Sequence, residues 1–166
     1  MPNKKISWIT MIVIIFGLLI VGCSPKATKL SEKTFPEQYQ GMTRVQMLGG
    51  QEAIEGISKL HGTNIDKISK GYQVMYQGND KQMLIWVSES PTVSDATKLL
   101  VAMNSKISTS KVFTGFKEET IDGRTIYYVF GMDMDNYYYQ RGKALYWVAI
   151  EAKEPQKELI ATLKDF

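Results

Sequence analysis

The chain has 166 residues, a formal net charge of +3 and a single cysteine. Lys4 and Lys5 lie in an apolar leader, and removing their two charges from +3 leaves about +1 for the rest of the chain, so charge gives no reason to expect a nucleic-acid partner. A lone cysteine excludes a disulfide within the chain and a zinc site built from several cysteines.

The first 22 residues have the layout of a secretory signal. Two lysines near the start are followed by an almost continuously apolar run, residues 6–21. The run closes on Ile20-Val21-Gly22-Cys23, where a small residue directly precedes the cysteine and an aliphatic residue stands three positions before it. This segment resembles the lipobox of bacterial lipoprotein precursors.

The resemblance implies that residues 1–22 are cleaved off and that Cys23 carries a diacylglycerol and further acylation. Acyl chains on one residue hold a protein durably to a bilayer. The expected location is therefore the extracytoplasmic side of the cell membrane, with the lipid bilayer as a partner and no cofactor besides the lipid. Ser24 after the cysteine favours export to an outer membrane where the organism has one.

The next segment differs in composition from the rest of the mature chain. Residues 23–41 are mostly polar, contain two prolines and show no sustained periodicity, so we expect a lipidated cysteine followed by a flexible tether. Residues 42–166 have a length suited to a single domain.

Helix and strand patterns alternate in the first half of this domain. A short strand is indicated at residues 45–48, and apolar residues recur at helical spacing over residues 50–60. Alternation from Ile68 and an apolar run at residues 83–87 predict a hairpin. The run is apolar on both faces, which is typical of a central strand.

The second half contains two further helices and two hairpins. Pro91 opens the most regular helical pattern, which extends to Ile107. Asp122-Gly123 predicts a tight hairpin turn, because such turns need positive φ angles. Residues 133–136 are turn-like, residues 137–150 predict another hairpin, and a last helix follows Pro155.

This order of elements predicts an α+β fold. We expect a mainly antiparallel sheet of about six or seven strands with about three helices packed on one face. Trp86-Val87 and Trp147-Val148 each lead through a proline to a leucine-containing helix, and this weak repeat suggests ferredoxin-like halves.

The globular part also resembles small exported bacterial proteins of unassigned function. The resembling segments are Leu48-Gly49-Gly50, Leu60-His61-Gly62, Gly131-Met132, Tyr137-Tyr138-Tyr139 and Tyr146-Trp147. The resemblance implies a single domain and supplies no activity.

His61 is the only histidine of the chain and follows the apolar stripe of the first predicted helix. Its unperturbed pKa near neutrality suits a general base or a metal ligand. A helix C-terminus also favours a histidine through its free carbonyls and the macrodipole. An envelope enzyme with an unrecognised site near His61 is therefore an alternative function.

A second alternative is a metal-binding lipoprotein that uses one short polar segment. The segment consists of Met132, Asp133, Met134, Asp135 and Asn136. Carboxylate and amide oxygens suit calcium, whereas thioethers suit copper(I), and one short segment cannot satisfy both preferences. A hairpin turn with aspartates accounts for most of the pattern, so we expect no tight metal here.

The aromatic residues on predicted strands are the stronger candidates for function. The candidate binding residues are Trp86, Tyr127, Tyr128, Tyr146 and Trp147. If the helices cover one face, alternation sends about half of the rings to the other face. That face would need a cover, such as a second copy, a ligand, a partner protein or the tether, unless the rings are the core of a curled sheet.

The function expected from the sequence is a membrane-anchored, extracytoplasmic lipoprotein that acts as a non-catalytic binding or interaction module. Its partner would be a second copy of the chain or another protein bound at the aromatic face. No catalytic residue and no metal ligand are assigned.

Overall fold

The computed structural model describes residues 30–61 and 68–166, except for the side chains of residues 59–61. The strands are β1 (Gln38–Tyr39), β2 (Met42–Gly49), β3 (Lys70–Gln77), β4 (Gln82–Glu89), β5 (Thr114–Ile121), β6 (Arg124–Gly131), β7 (Met134–Arg141) and β8 (Ala144–Glu151). The helices are α1 (Gly50–His61), α2 (Val93–Ile107) and α3 (Pro155–Asp165), and a 3-10 turn spans Glu32–Thr34. None of the described helices is long and apolar enough to span a membrane.

All eight strands form one antiparallel sheet in the order β1-β2-β3-β4-β8-β7-β6-β5. This confirms the α+β class and the central position of β4, and the number of strands is slightly higher than predicted. The halves are not ferredoxin-like: β2 and β3, which α1 connects, are direct antiparallel neighbours. A split βαβ unit instead connects parallel strands that flank a third.

One hairpin turn matches the prediction and one does not. Asp122 and Gly123 have φ angles of 51° and 72°, as the Asp-Gly pair predicts. The turn predicted at residues 133–136 consists instead of Met132 and Asp133, with φ angles of 57° and 59°, and β7 begins directly after it. Two consecutive non-glycine residues in this left-handed region are uncommon.

Helices cover both faces of the sheet. On one face, called the α3 face, Leu159 and Leu163 of α3 pack in one apolar cluster with Val148. On the opposite α1–α2 face, Met103 of α2 packs in a second cluster with Leu145. Leu145 and Val148 are three residues apart on β8 and therefore point to opposite faces.

Gly71 brings α1 onto the α1–α2 face. Gly71 is the register partner of Ser88, which pairs in turn with Leu145, so these three residues share a face. A Cβ atom on Gly71 would lie 3.0 Å from Cγ1 of Ile54 in α1, and it would be equally close to the Ile54 backbone nitrogen. Glycine therefore permits the close approach of helix and strand.

The prediction that three helices pack on one face is wrong. Two helices lie on one face and one on the other. The reason is visible in β8, where the residues 144–150 are buried on both faces apart from the partly exposed Trp147. A strand that is apolar on both faces needs a cover on each side.

The segment predicted as a tether is part of the folded domain from residue 30 onward. Its buried apolar side chains are Leu30, Phe35 and Tyr39. The Phe35 ring lies 5.5 Å from that of Tyr72 and 5.3 Å from that of Phe166, between centroids. The tether prediction is therefore wrong for residues 30–41, because a few apolar residues in a polar stretch are enough to pack it onto the α3 face. Residues 23–29 lie outside the described residues.

Candidate functional site

Five aromatic side chains form a row across five strands on the α1–α2 face. Trp86 is the register partner of Trp147, which pairs with Tyr138, which pairs with Tyr127. The rings of Trp147 and Tyr138 stack at 5.1 Å and 7°, and those of Tyr138 and Tyr127 at 5.1 Å and 18°. Phe116 of β5 continues the stack onto Tyr127 at 6.2 Å and 23°. We call these five residues the aromatic row.

The middle of the row is buried beneath α2. Tyr138 is fully buried, and its hydroxyl donates a hydrogen bond of 2.8 Å to Oδ1 of Asn104 in α2. The Phe113 ring packs on Trp147 at 5.3 Å with an interplanar angle of 60°. Stacked aromatic pairs contribute about 0.5–1.5 kcal/mol each beyond the area that they bury. This part of the row is therefore core.

The two ends of the row remain open. At the β5 end, 46% of Phe116 is exposed, and Tyr127 is partly exposed beside it. At the other end, Trp86 is also partly exposed, but its Nε1 is buried and has no hydrogen-bond partner among the described residues. The middle of the row is thus part of the core, and the rings at its ends are partly exposed. Because the exposed rings stack on buried ones, the surface that they form is held rigid.

Asn136 ties the row to the β6–β7 turn. Its Oδ1 accepts a hydrogen bond of 3.0 Å from Nε1 of Trp147. Its Nδ2 donates to the carbonyls of Gly131 and Met134, at 3.0 Å and 2.8 Å. Asn136 is 3% exposed, so these three bonds satisfy polar groups that water does not reach freely.

Hydrogen bonds also occupy oxygen atoms of residues 132–136, the segment considered above as a metal site. The oxygen of Asn136 is already bound to an indole N–H, and Oδ1 of Asp135 accepts a hydrogen bond of 2.9 Å from the Tyr128 hydroxyl. Asp133 and Met132 are exposed in the turn. Among the described residues, no group of three or more histidine, cysteine or acidic side chains is placed to share a metal ion.

Two of the predicted binding residues lie on the α3 face instead. Tyr146 is 3% exposed and stacks on Tyr139 at 5.0 Å and 6°, so it belongs to the core. Tyr128 is partly exposed and lies under the Lys117 ammonium group, whose Nζ is 5.5 Å from the ring centroid. Trp86, Tyr127 and Trp147 are therefore the candidates that share one face.

Two further predicted sites lie wholly or partly outside the described residues. His61 ends α1, but its side chain is not described. Cys23 precedes the described part of the chain.

Two row members were not among the predicted binding residues: Tyr138, which is buried, and Phe116, which is exposed. The Asp122-Gly123 turn pairs Ile121 with Arg124 and, by counting back, Glu118 with Tyr127. Phe116 shares the parity of Glu118, so the turn alone already predicts that Phe116 and Tyr127 share a face. The register of β5 is irregular between Thr114 and Lys117, and the Phe116 ring lies 6.2 Å from that of Tyr127.

Burial makes several tyrosines poor acids. It raises the pKa of Tyr76 to about 12, and it also raises the pKa values of Tyr137, Tyr138 and Tyr139. The unfolded chain therefore releases phenol protons before the folded protein does as the pH rises. The contribution of these tyrosines to the free energy of unfolding is consequently fully present below about pH 10, the ordinary tyrosine pKa, and is lost as the pH rises above it.

Tyr139 and Tyr138 offer a matched pair of hydroxyl deletions. The Tyr139 hydroxyl is buried without a described partner, whereas that of Tyr138 is bonded to Asn104. We expect Tyr139→Phe to leave the free energy of unfolding unchanged or to raise it by about 1 kcal/mol, and Tyr138→Phe to lower it by about 1 kcal/mol. Urea unfolding with an unchanged slope measures both. Equal losses in the two variants would show that the Tyr139 hydroxyl has a partner.

Comparison with known proteins gives no information about the function of this chain. A scan against protein-family models finds no match, and neither does a search of curated proteins or of solved structures.

Proposed function

We propose that this protein is a membrane-anchored, extracytoplasmic lipoprotein that binds a protein partner without catalysing a reaction. The anchoring part is supported by Ile20-Val21-Gly22-Cys23, with a diacylglycerol and further acyl chains on Cys23 as its only prosthetic group. The site of action is then the outer side of the cell membrane, or an outer membrane where the organism has one.

The binding part is carried by one observation, the exposed β5 end of the aromatic row. Phe116 presents nearly half of its surface while its inner neighbours are stacked into the core. Aromatic residues bury about 150–250 Å² each on contact, and rings held rigid by packing lose little entropy on binding. An apolar side chain of a partner protein, packed against Phe116 and Tyr127, fits this surface.

The strand beside these rings makes the surface selective. β5 is an edge strand, and all of its residues except Ile121 are exposed. Lys117, Glu118 and Glu119 place charges of both signs along it, and Gly115, with a φ angle of 69°, lies in its irregular register. Charges and bulges discourage indiscriminate pairing with other edges. A partner must therefore match both the rings and the charge pattern, and a second copy of this chain is one protein that can be tested for this.

Replacing Phe116 with serine is expected to weaken capture of the partner at least about tenfold, because a central aromatic contact contributes 1–2 kcal/mol or more. Its effect on the free energy of unfolding should not exceed about 1 kcal/mol, since the side chain is already half exposed. Recovery of crosslinked complexes from intact cells and thermal unfolding of the purified protein measure the two quantities.

Val45→Ser is the matched control for this substitution. Val45 is 53% exposed, also lies on a strand, and belongs to β2 near the opposite edge of the sheet. It should leave complex formation unchanged. Complexes recovered equally from the Phe116→Ser variant, or lost equally from both variants, would contradict the assignment. Velocity sedimentation of the purified wild-type protein shows whether the partner is a second copy of this chain or a different protein.

Cys23→Ala is expected to abolish both incorporation of labelled fatty acid and removal of the leader, because the thiol is the acyl acceptor of the lipobox. Growth with labelled palmitate followed by gel analysis measures this. Ser24→Ala is the control, since it leaves the thiol in place. Label found in the Cys23→Ala variant would disprove the anchoring part of the proposal.

A further inference from the structure

The two edges of the sheet differ in length. Of its two edge strands, β5 has eight residues and β1 has two. Seven residues of β5 are exposed, and within the parts of the chain that the structure describes no strand lies on its outer side. An edge strand presents unpaired N–H and C=O groups to any strand that can approach it. β5 is therefore the edge to which a further strand can be added.

The β5–β6 turn determines which backbone groups of β5 point outward. The two-residue turn at Asp122-Gly123 makes the two residues that flank it a hydrogen-bonded pair. Such pairs alternate with non-hydrogen-bonded pairs along an antiparallel ladder, so every second residue counted back from Ile121 bonds to β6. The N–H and C=O groups of Glu118 and Thr120 therefore point away from β6, toward the free edge.

The regular part of β5 carries charges of both signs on one face. Lys117 is the register partner of Tyr128, and Glu119 is that of Ile126, so both charged side chains lie on the α3 face. Glu118 lies between them in sequence and points to the α1–α2 face. All three charged residues are exposed. The α3 face of this edge thus presents a cation and an anion two residues apart.

A second copy of β5 matches this charge pattern in one register. Rotation about a two-fold axis perpendicular to the sheet reverses the strand and keeps its faces, so each antiparallel register is centred on one residue. Centring on Glu118 places Lys117 of each copy opposite Glu119 of the other, which makes two pairs of opposite charge. Centring on Lys117, Glu119 or Thr120 forms neither pair, and the first two of these place like charges opposite each other.

The backbone supports the same register. Because the groups of Glu118 point outward, it forms a hydrogen-bonded pair with itself across the axis, and Lys117 and Glu119 then form non-hydrogen-bonded pairs. Cα atoms are about 4.5 Å apart in the latter and about 5.5 Å apart in the former, so the attractive pairs are closer than the two copies of Glu118. Phe116 lies opposite Thr120 of the other copy, which covers part of its exposed ring.

We propose that the protein forms a two-fold symmetric dimer in which β5 pairs antiparallel with β5 of a second copy, centred on Glu118. The dimer rests on the proposed function and identifies its partner as a second copy of the chain. The irregular register between Thr114 and Lys117 limits the regular pairing to residues 116–120 of each copy. Pairing occupies the long edge of both copies and leaves only the two-residue β1 free, so assembly stops at a dimer.

A cysteine on the two-fold axis tests the register. Glu118→Cys places two cysteines opposite each other with Cα atoms about 5.5 Å apart, within the range of a disulfide. Thr120→Cys is the matched control on the same strand and face, because its two copies lie four residues, about 14 Å, apart along the strands. Mild oxidation of the purified full-length protein in detergent should link the Glu118→Cys variant into dimers and leave the Thr120→Cys variant unlinked. The wild type, whose only cysteine is Cys23, shows any disulfide formed through that residue.

Charge reversal tests the two pairs of opposite charge. Lys117→Glu places glutamates opposite each other and should weaken self-association at least about tenfold, and Glu119→Lys should do the same by opposing lysines. An equimolar mixture of these two variants restores both pairs in a mixed dimer and should recover the association. Lys98→Glu, at an exposed position of α2, makes the same change in net charge and should have no effect. Sedimentation equilibrium in density-matched detergent measures the dissociation constants.

The outcomes separate the dimer from the proposed function. Equal crosslinking of the Glu118→Cys and Thr120→Cys variants, or no recovery of association when the two charge variants are mixed, would overturn the pairing. A wild type that remains monomeric, with no disulfide in the Glu118→Cys variant, would overturn the dimer. If Phe116→Ser then still abolished complexes with a different protein, the proposed function would stand. If no such complexes were found either, both would fail.

Discussion

Replacing Phe35 with alanine is expected to lower the free energy of unfolding by about 3–5 kcal/mol, as for other fully buried phenylalanines. The side chain is 1% exposed and its ring packs against Tyr72 and Phe166, so truncation leaves a cavity between the N-terminal segment, β3 and α3. A loss of this size is a large fraction of the stability of a typical domain. Urea unfolding followed by circular dichroism measures it.

The control lies three residues earlier in the same segment. Glu32 is exposed in the 3-10 turn, so Glu32→Ala should change the free energy of unfolding by no more than about 0.5 kcal/mol. Phe35→Leu retains most of the apolar volume and should fall between the two. A loss below about 0.5 kcal/mol in the Phe35→Ala variant would mean that the segment is a solvated tether after all.

Asn136→Ala is expected to cost about 2–4 kcal/mol, although Asn136 is a polar residue on a strand. The substitution removes three hydrogen bonds and leaves the Trp147 indole N–H and the carbonyls of Gly131 and Met134 to find new partners. A net hydrogen bond contributes about 1 kcal/mol, and an unsatisfied buried group costs about 1–3 kcal/mol. Guanidinium unfolding at neutral pH is the measurement.

A double-mutant cycle isolates the indole bond from the rest. Trp147→Phe removes the indole N–H that donates a hydrogen bond to Oδ1 of Asn136. Asn136→Ala should therefore lower the free energy of unfolding by about 1 kcal/mol less in that background than in the wild type. Equal costs in both backgrounds would show that Asn136 acts through the turn carbonyls alone. Asn79→Ala, in the exposed β3–β4 turn, serves as the surface control and should be near neutral.

Local patterns predicted the elements whose signals depend only on neighbouring residues. The periodicity after Pro91 predicted α2, which begins at Val93 and ends at Ile107. The Asp122-Gly123 pair predicted a hairpin turn with positive φ angles. These signals survive because helical spacing and turn chemistry act within a few residues.

The same local reasoning was wrong where distant residues decide the outcome. The prolines and polar residues around Phe35 resemble a linker, and nothing near it in sequence shows that Tyr72 and Phe166 will pack on its ring. The segment at residues 133–136 reads as a turn, whereas Asn136 lies within β7 and pairs with Val129 of β6 and Ala149 of β8. Propensity is a weak guide wherever long-range contacts supply more free energy.

The sequence by itself determined the α+β class and the aromatic richness of the strands, because composition and short-range periodicity are properties of neighbouring residues. Only the tertiary structure decided that the helices divide between two faces and that the aromatic strands therefore split into two separate groups. Strand order and register set which rings meet. They depend on pairings between residues that are distant in sequence, such as Trp86 and Trp147, which are 61 positions apart. The free energy of such contacts is gained only after the chain has closed into the sheet, so no local pattern can contain it.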